Sequence, residues 1–275
     1  MAPVVLVTGC TTGGIGHGLC KQFAAKGCRV YATARKVENM TGLEGCELIA
    51  LDVNDPASVN AAVEGVITKE GHIDILVNNA GAPAIGPLME IDLDVARRCV
   101  ETNVFGTLAM CRAVGKHMAE RGSGKIANVG SVVGYCSTPW AGIYSLSKAA
   151  VHSMTDALRL ELEPFGVQVV LVAPGSIKSN FGHAATGTVS IPEDTMYKSV
   201  IKHIYARATM SQGPGATPTD DFAAKVAGKL LGSPPRYITY GAKSFAFLLF
   251  YYLPFFVKDF VLKRMLGVNE LKRVK

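Results

Sequence analysis

The chain opens on an unbroken apolar run, Val4-Val5-Leu6-Val7, and similar β-branched runs recur at 29–34, 47–51, 73–77, 125–129, 167–172 and 237–239. Most do not alternate apolar and polar residues, which suits parallel strands covered on both faces. Longer stretches of helical periodicity lie between them, at 16–26, 56–69, 93–120, 141–165 and 219–231. Strand-then-helix order repeated in this way predicts an α/β fold, a doubly wound parallel sheet in one domain over 1–243.

Two stretches break the rhythm. Residues 181–218 are rich in Gly, Thr and Pro, with one helical segment around 194–209. They follow a strand at the sheet's C-terminal edge, where ligands sit in open α/β folds. Structureless loops of this length are usually functional, so a substrate lid is expected. Residues 244–257 read Ser-Phe-Ala-Phe-Leu-Leu-Phe-Tyr-Tyr-Leu-Pro-Phe-Phe-Val, apolar on all sides, with Pro254 placed to kink a helix. Beyond them Lys258, Lys263, Arg264, Lys272, Arg273 and Lys275 face only Asp259 and Glu270. Aromatic residues beside a basic stretch suit a peripheral anchor on an anionic membrane surface. The tail 244–275 is expected to make that contact, to cover the substrate cleft, or to do both.

A chain of 275 residues with 49% hydrophobic and 18% charged residues can bury a full core and is neither disordered nor collagen-like. Its net charge of +6 is weak ground for a nucleic-acid partner, and none is expected. The cysteines, Cys10, Cys20, Cys28, Cys46, Cys99, Cys111 and Cys136, are odd in number and lack a C-x-x-C pair. Reduced thiols in a cytoplasmic setting are expected, with neither a disulfide framework nor a metal site. No signal-peptide pattern opens the chain, and no run of 18 apolar residues predicts a membrane-spanning helix.

After the first strand comes Thr8-Gly9-Cys10-Thr11-Thr12-Gly13-Gly14-Ile15-Gly16, which leads into a helix. Glycines let the backbone turn tightly and approach a pyrophosphate, and the helix N-terminus offers free N–H groups and a positive dipole end. Gly9, Thr11, Thr12, Gly14, Ile15 and Gly16 are the candidate dinucleotide contacts of this loop. Arg35 follows Gly16 by 19 residues, where an acid would bond the ribose hydroxyls of NAD. A guanidinium pairs with a 2′-phosphate and a carboxylate repels it, so NADPH is expected over NADH. Asp52, beside Val53 at the third strand's end, is placed to accept from an adenine amino group. Asn79, within Asn78-Asn79-Ala80-Gly81, is placed to tie neighbouring strands and leave room for the cofactor.

Tyr144 and Lys148 stand at i and i+4, on one face of a helix. A phenol of pKa about 10 donates poorly at neutral pH, and a nearby cation lowers it into use. Ser131 precedes Tyr144 by 13 residues at a strand end, where its hydroxyl can bond a substrate carbonyl and the Tyr oxygen. Asn103 falls mid-helix, where an amide can bend the helix and hold a water that relays protons to Lys148.

The ordered set of Gly-rich turn, Asn78-Asn79-Ala80-Gly81, Asn103, Ser131, Tyr144, Lys148 and Pro174-Gly175 resembles the short-chain dehydrogenase/reductase family. The resemblance implies a Rossmann fold, NAD(P) binding and an Asn-Ser-Tyr-Lys tetrad. It implies Tyr144 as proton donor, Ser131 polarising the carbonyl, Lys148 tuning Tyr144 and binding ribose, and Asn103 supporting the water relay. It also implies cofactor contacts from Pro174, Gly175, Ile177 and Ser179, and NADP selection by Arg35. Three departures stand out. The turn through Gly13-Gly14-Ile15-Gly16 holds one extra residue, Gly130 precedes Ser131 where Ser is commoner, and Ser179 replaces the usual Thr.

Within the family, the Gly-Gly-Ile-Gly-His turn, the Ala-Thr-Ala-Arg strand end and the apolar tail are similar to NADPH-dependent 1-acyldihydroxyacetone-phosphate reductases. That likeness implies reduction of a hydrophobic or lipid-like ketone, at the endoplasmic reticulum or a lipid droplet surface. It implies a homodimer or homotetramer built through the helices bearing Asn103 and Tyr144. Steroid, retinoid or polyketide ketones are the alternative substrates. A lipid hydrolase is a rival of another class, and the chain lacks the Gly-x-Ser-x-Gly elbow. A non-catalytic NADPH-binding scaffold is a second rival, and the complete tetrad counts against it.

Overall fold

The computed structural model describes residues 2–272. The apolar runs become β1 (Val4–Thr8), β2 (Arg29–Ala34), β3 (Cys46–Ala50), β4 (Ile75–Asn78), β5 (Gly124–Val129) and β6 (Val167–Pro174). β7 (Ile177–Lys178) and β8 (Thr217–Pro218) form a separate two-stranded ladder, and β9 (Tyr237–Tyr240) completes the main sheet. That sheet is parallel throughout, in the order β3-β2-β1-β4-β5-β6-β9. The chain winds outward in both directions from β1 and β4. Their C-terminal ends therefore open the crevice in which such sheets bind ligands.

Helices cover both faces. On one, α1 (Ile15–Ala25) and α8 (Thr219–Leu231) bury Leu19, Phe23, Phe222 and Val226 against Val5 and Val7 of β1. On the other, α2 (Pro56–Glu70) and α4 (Thr107–Arg121) bury Val63, Met110 and Val114 against Val4 and Leu6. Each face takes alternate residues of the same strand, so the strand reads as an unbroken apolar run. Each of the larger side chains contributes about 1.5–3 kcal/mol by leaving water. β3, at the sheet edge, is only partly covered.

The single helix expected over 93–120 is in fact three pieces. α3 (Leu93–Val100) joins α4 through a π-helical turn, Glu101–Gly106, which contains Asn103. Gly106 closes that turn against Val53, whose Cγ2 would lie 2.6 Å from a Cβ there. α5 (Gly142–Leu162) carries Tyr144 and Lys148 as expected.

Residues 181–218 are also more ordered than their composition predicts. They hold α6 (Phe181–Thr186), α7 (Ile201–Thr209) and one strand of the β7–β8 ladder. Buried Ala185, Val200, Ile204 and Ala208 give the segment an apolar core that Gly, Thr and Pro content conceals.

The tail forms α9 (Ser244–Tyr252) and α10 (Phe255–Met265), broken at Pro254. Phe247, Leu262 and Leu266 pack on Val132, Val133, Trp140, Val200 and Ile204. Trp140, held at φ +66°, donates from Nε1 to the Leu266 carbonyl at 2.8 Å. Of the two helices, α9 reaches the wall of the crevice, through Phe247. Phe245, Tyr252, Phe255 and Phe256 stay 75–81% exposed. No described helix is long and apolar enough to cross a membrane. Arg273 and Lys275, counted in the tail's charge, lie outside the described residues.

Candidate active site

A cavity of about 530 Å³ lies over the C-terminal ends of the central strands. Gly9, Thr11, Gly14, Ile15, Arg35, Asp52, Val53 and Asn79 line one end of it. Ser131, Tyr144, Lys148, Pro174, Gly175, Ile177 and Ser179 line the rest of the predicted site. Thr12, Gly16 and Asn103 are the expected residues that do not reach its wall.

Each of these three has a structural task. Thr12 donates its hydroxyl to the Asn39 carbonyl at 3.0 Å. Gly16 lies where a Cβ would come within 2.5 Å of Asn79 Nδ2 and 2.6 Å of the Gly9 carbonyl. Asn79 Nδ2 itself donates to the carbonyls of Thr8 at 2.9 Å and Gly9 at 3.0 Å, so it ties β4 to the turn as its spacing suggested. The extra residue of the turn is absorbed at Gly13, held at φ +79°. There the Gly13 carbonyl accepts from the Asn180 amide at 3.1 Å, and Thr12 O accepts from Asn180 Nδ2 at 3.0 Å. Gly14 still starts α1, which has no side-chain cap and no acid in its first turn. Its free N–H groups suit a phosphate.

Asn103 lies buried in the π-helical turn. Its Oδ1 accepts from the Ala82 amide at 2.7 Å, and its Nδ2 donates to the Ala82 carbonyl at 3.0 Å and Ser147 Oγ at 2.9 Å. Its own carbonyl accepts from Thr107 Oγ1 at 2.8 Å. The π-turn aims the side-chain amide at the chain after β4, so it clamps that segment to α5.

Lys148 is buried, and its Nζ donates to the Val129 carbonyl at 2.8 Å, 5.8 Å from the centre of the Tyr144 ring. Burial pulls its ammonium down to about 8. Burial pushes the Tyr144 phenol above its ordinary value, with Cys99 adding to the rise. The Ser131 hydroxyl and the Arg207 charge oppose it.

The glycine before Ser131 is explained by His152. A Cβ at Gly130 would lie 2.4 Å from His152 Nε2, and one at Gly134 2.6 Å from His152 Cε1. The imidazole fills the space a serine side chain would need, and its Nε2 accepts from the Ser131 amide at 3.4 Å. Burial and the Lys148 charge push it down to about 4, so it is neutral at pH 7 and keeps that lone pair. Sequence reasoning missed His152, although Tyr144, Lys148 and His152 run at i, i+4 and i+8 on α5.

Residues 3–189 match the family model for short chain dehydrogenase. The chain is 38% identical over 273 residues to the short-chain dehydrogenase ptmH of Penicillium ochrochloron, covering 96% of this chain and 98% of that one. It is 38% identical over 200 residues to an NADPH-dependent 1-acyldihydroxyacetone phosphate reductase of Schizosaccharomyces pombe, covering 70% of this chain and 67% of that one. A solved short-chain dehydrogenase from Streptomyces avermitilis superposes with a TM-score of 0.81 at 28% identity, covering 96% of this chain and 97% of that one. The chain belongs to the short-chain dehydrogenase family.

In this short-chain dehydrogenase the far wall of the cavity comes from segments distant in sequence. Phe181, Ala184, Arg207, Ala208 and Met210 come from 181–218, and Phe247 comes from the tail. Phe181 stacks obliquely on Tyr144, with ring centres 5.3 Å apart. Gln212 accepts from the Ser179 amide at 2.7 Å and donates to the Ile177 carbonyl at 3.1 Å, fastening this wall to β7. No spacing in the sequence points to Gln212 or to Asn180.

Proposed function

We propose that this oxidoreductase reduces the carbonyl of a hydrophobic or lipid-like ketone with NADPH. The observation that carries the reading is the position of Tyr144 and Ser131, where the glycine-lined end of one cavity meets its apolar end. The glycine turn, the uncapped α1 and Arg35 fit a phosphorylated dinucleotide, and the fission-yeast relative is NADPH-dependent by name. When bound, NADPH would supply the hydride. Ser131 would donate to the substrate oxygen, and Tyr144 would deliver the proton that oxygen gains. Lys148, Asn79 and Gly14 would hold the cofactor's sugar and phosphates.

Residues 181–218 serve in this reading as the lid over the apolar group. The exposed aromatics of the tail, beside Lys258 and Arg264, serve as a peripheral contact with an anionic membrane. Phe105, Leu146 and Leu160, each more than half exposed on the helices bearing Asn103 and Tyr144, support a homo-oligomer through that face. An acyl chain beside the carbonyl, as in 1-acyldihydroxyacetone phosphate, would fill the end lined by Phe181 and Phe247.

The test is NADPH oxidation across ketones of increasing apolar length. Turnover that rises with chain length and exceeds that with NADH is expected. No oxidation with any ketone would overturn the reading. Sedimentation with anionic vesicles at low salt tests the tail, and protein left in the supernatant would remove the membrane contact.

A further inference from the structure

Arg207 is unusual among the charged residues of this chain. It is only 9% exposed, yet among the described residues no carboxylate pairs with it. Its Nε and Nη2 both donate to a single acceptor, Thr138 Oγ1, at 3.2 and 3.0 Å. A guanidinium has five donor hydrogens, and burying its charge without a counter-ion is costly. The side chain lines the cavity beside Tyr144, Ala208 and Met210. Lys148, His183 and Lys243 line the same cavity, and its one carboxylate, Asp52, belongs to the cofactor end. The reacting end is thus positive and without an acid of its own.

We propose that Arg207 is the recognition point for an anionic group carried by the substrate close to its reacting carbonyl. The ligand class is an apolar chain bearing a phosphate or a carboxylate. The anion would complete the guanidinium's hydrogen bonds opposite Thr138, and the chain would run past Phe181 to Phe247. The proposal rests on the reading of this cavity as a ketone site. It adds that neutral ketones are the poorer substrates, because they leave the buried charge unpaired.

Equilibrium binding tests this without turnover. Dodecyl phosphate, dodecanoate and dodecanol are titrated into NADP⁺-saturated protein by calorimetry. At least one anion should bind more tightly than the alcohol, and the one that does identifies the head group. Arg207→Met should weaken that anion by ~10–100-fold more than it weakens dodecanol, the range for losing a charge-assisted hydrogen-bonded pair. Arg207→Lys should recover part of the difference. Thr138→Val, which removes the acceptor that orients the fork, should give a smaller loss and carries the test if Arg207→Met does not fold.

Matched ketones then connect binding to rate. Wild-type kcat/KM should favour a 3-oxo acid over its methyl ester, or an acylated dihydroxyacetone phosphate over its dephosphorylated form. Arg207→Met should bring that ratio close to one. Equal losses for anion and alcohol would overturn the proposal and leave Arg207 as a support of Tyr144. A parallel loss of NADPH affinity would overturn it too, because the guanidinium would then serve the cofactor. If no ketone is reduced while anion binding still depends on Arg207, the reductase reading fails, and the proposal with it as far as the carbonyl is concerned, leaving Arg207 an anion-binding residue of this cavity.

Discussion

The two ends of the cavity are built in different ways. At the cofactor end the recognising surface is mostly backbone, and the residues that matter are those that keep side chains out. Gly9, at φ +72°, would place a Cβ 2.7 Å from Ala80 Cα, and Gly16 leaves no room for one beside Asn79. At the substrate end side chains dominate the surface, brought from the turn after β5, α5, α6, α7 and the tail. The first end tolerates almost no added atom. The second can be re-lined without moving the sheet. A fold divided in this way can keep one cofactor while its substrate changes.

The largest break in this comparison is expected at the junction of the two ends. Tyr144→Phe removes the proposed donor and touches no phosphate contact. It should lower kcat by ~10²–10⁴-fold with NADPH affinity unchanged. A variant that kept wild-type kcat would take the donor role away from Tyr144.

His152 gives the next largest effect, and a pH signature. Its folded value of about 4 lies below its ordinary 6.5, so the unfolded chain takes up the proton first as pH falls. This contribution to stability is complete above pH 6.5 and is lost between 6.5 and 4, by roughly 3 kcal/mol. His152→Gln should flatten that acid limb in melting experiments. A limb parallel to that of the wild type would mean that carboxylates elsewhere produce the decline.

Gly16→Ala attacks the cofactor end alone. Forcing a methyl group against Asn79 and the Gly9 carbonyl costs about 1–3 kcal/mol, which shifts or loosens the turn. NADPH affinity should fall while the melting temperature of the free protein drops by only a few degrees. Wild-type affinity would show that the turn adapts.

Arg35→Asp should produce the smallest change. It leaves the backbone cradle alone and exchanges an attractive charge for a repulsive one at an exposed position lining the cavity. The preference for NADPH over NADH in kcat/KM should fall by about tenfold or more. An unchanged ratio would move phosphate selection to another residue.

The same division explains what could be read from the sequence. Strand runs, the glycine turn, Asn79 and the Tyr144–Lys148 spacing all depend on local periodicity or short-range backbone needs, and the structure brings them together. The π-turn at Asn103 was not legible, because the run Glu101–Gly106 holds no proline to mark a break in the helix. Within 181–218 the segment around 194–209, which contains α7, was legible; α6 was hidden by a composition that reads as loop, although buried Ala185 holds it. The Thr138–Arg207 pair and the Trp140–Leu266 contact join residues 69 and 126 positions apart. Pairings of that kind belong to the tertiary fold, and no local pattern announces them.

Trp140 carries one more consequence, an optical one. It is the chain's single tryptophan, and its indole nitrogen is bonded to the tail at Leu266. Every ultraviolet photon that the protein emits from tryptophan therefore comes from the contact between the tail and the body of the domain. With the hairpin seated the indole is buried and its emission lies to the blue; release of the hairpin would expose it to water and move the emission to the red. The protein thus contains its own fluorophore for following, in real time and without a label, whether the tail is docked on Trp140.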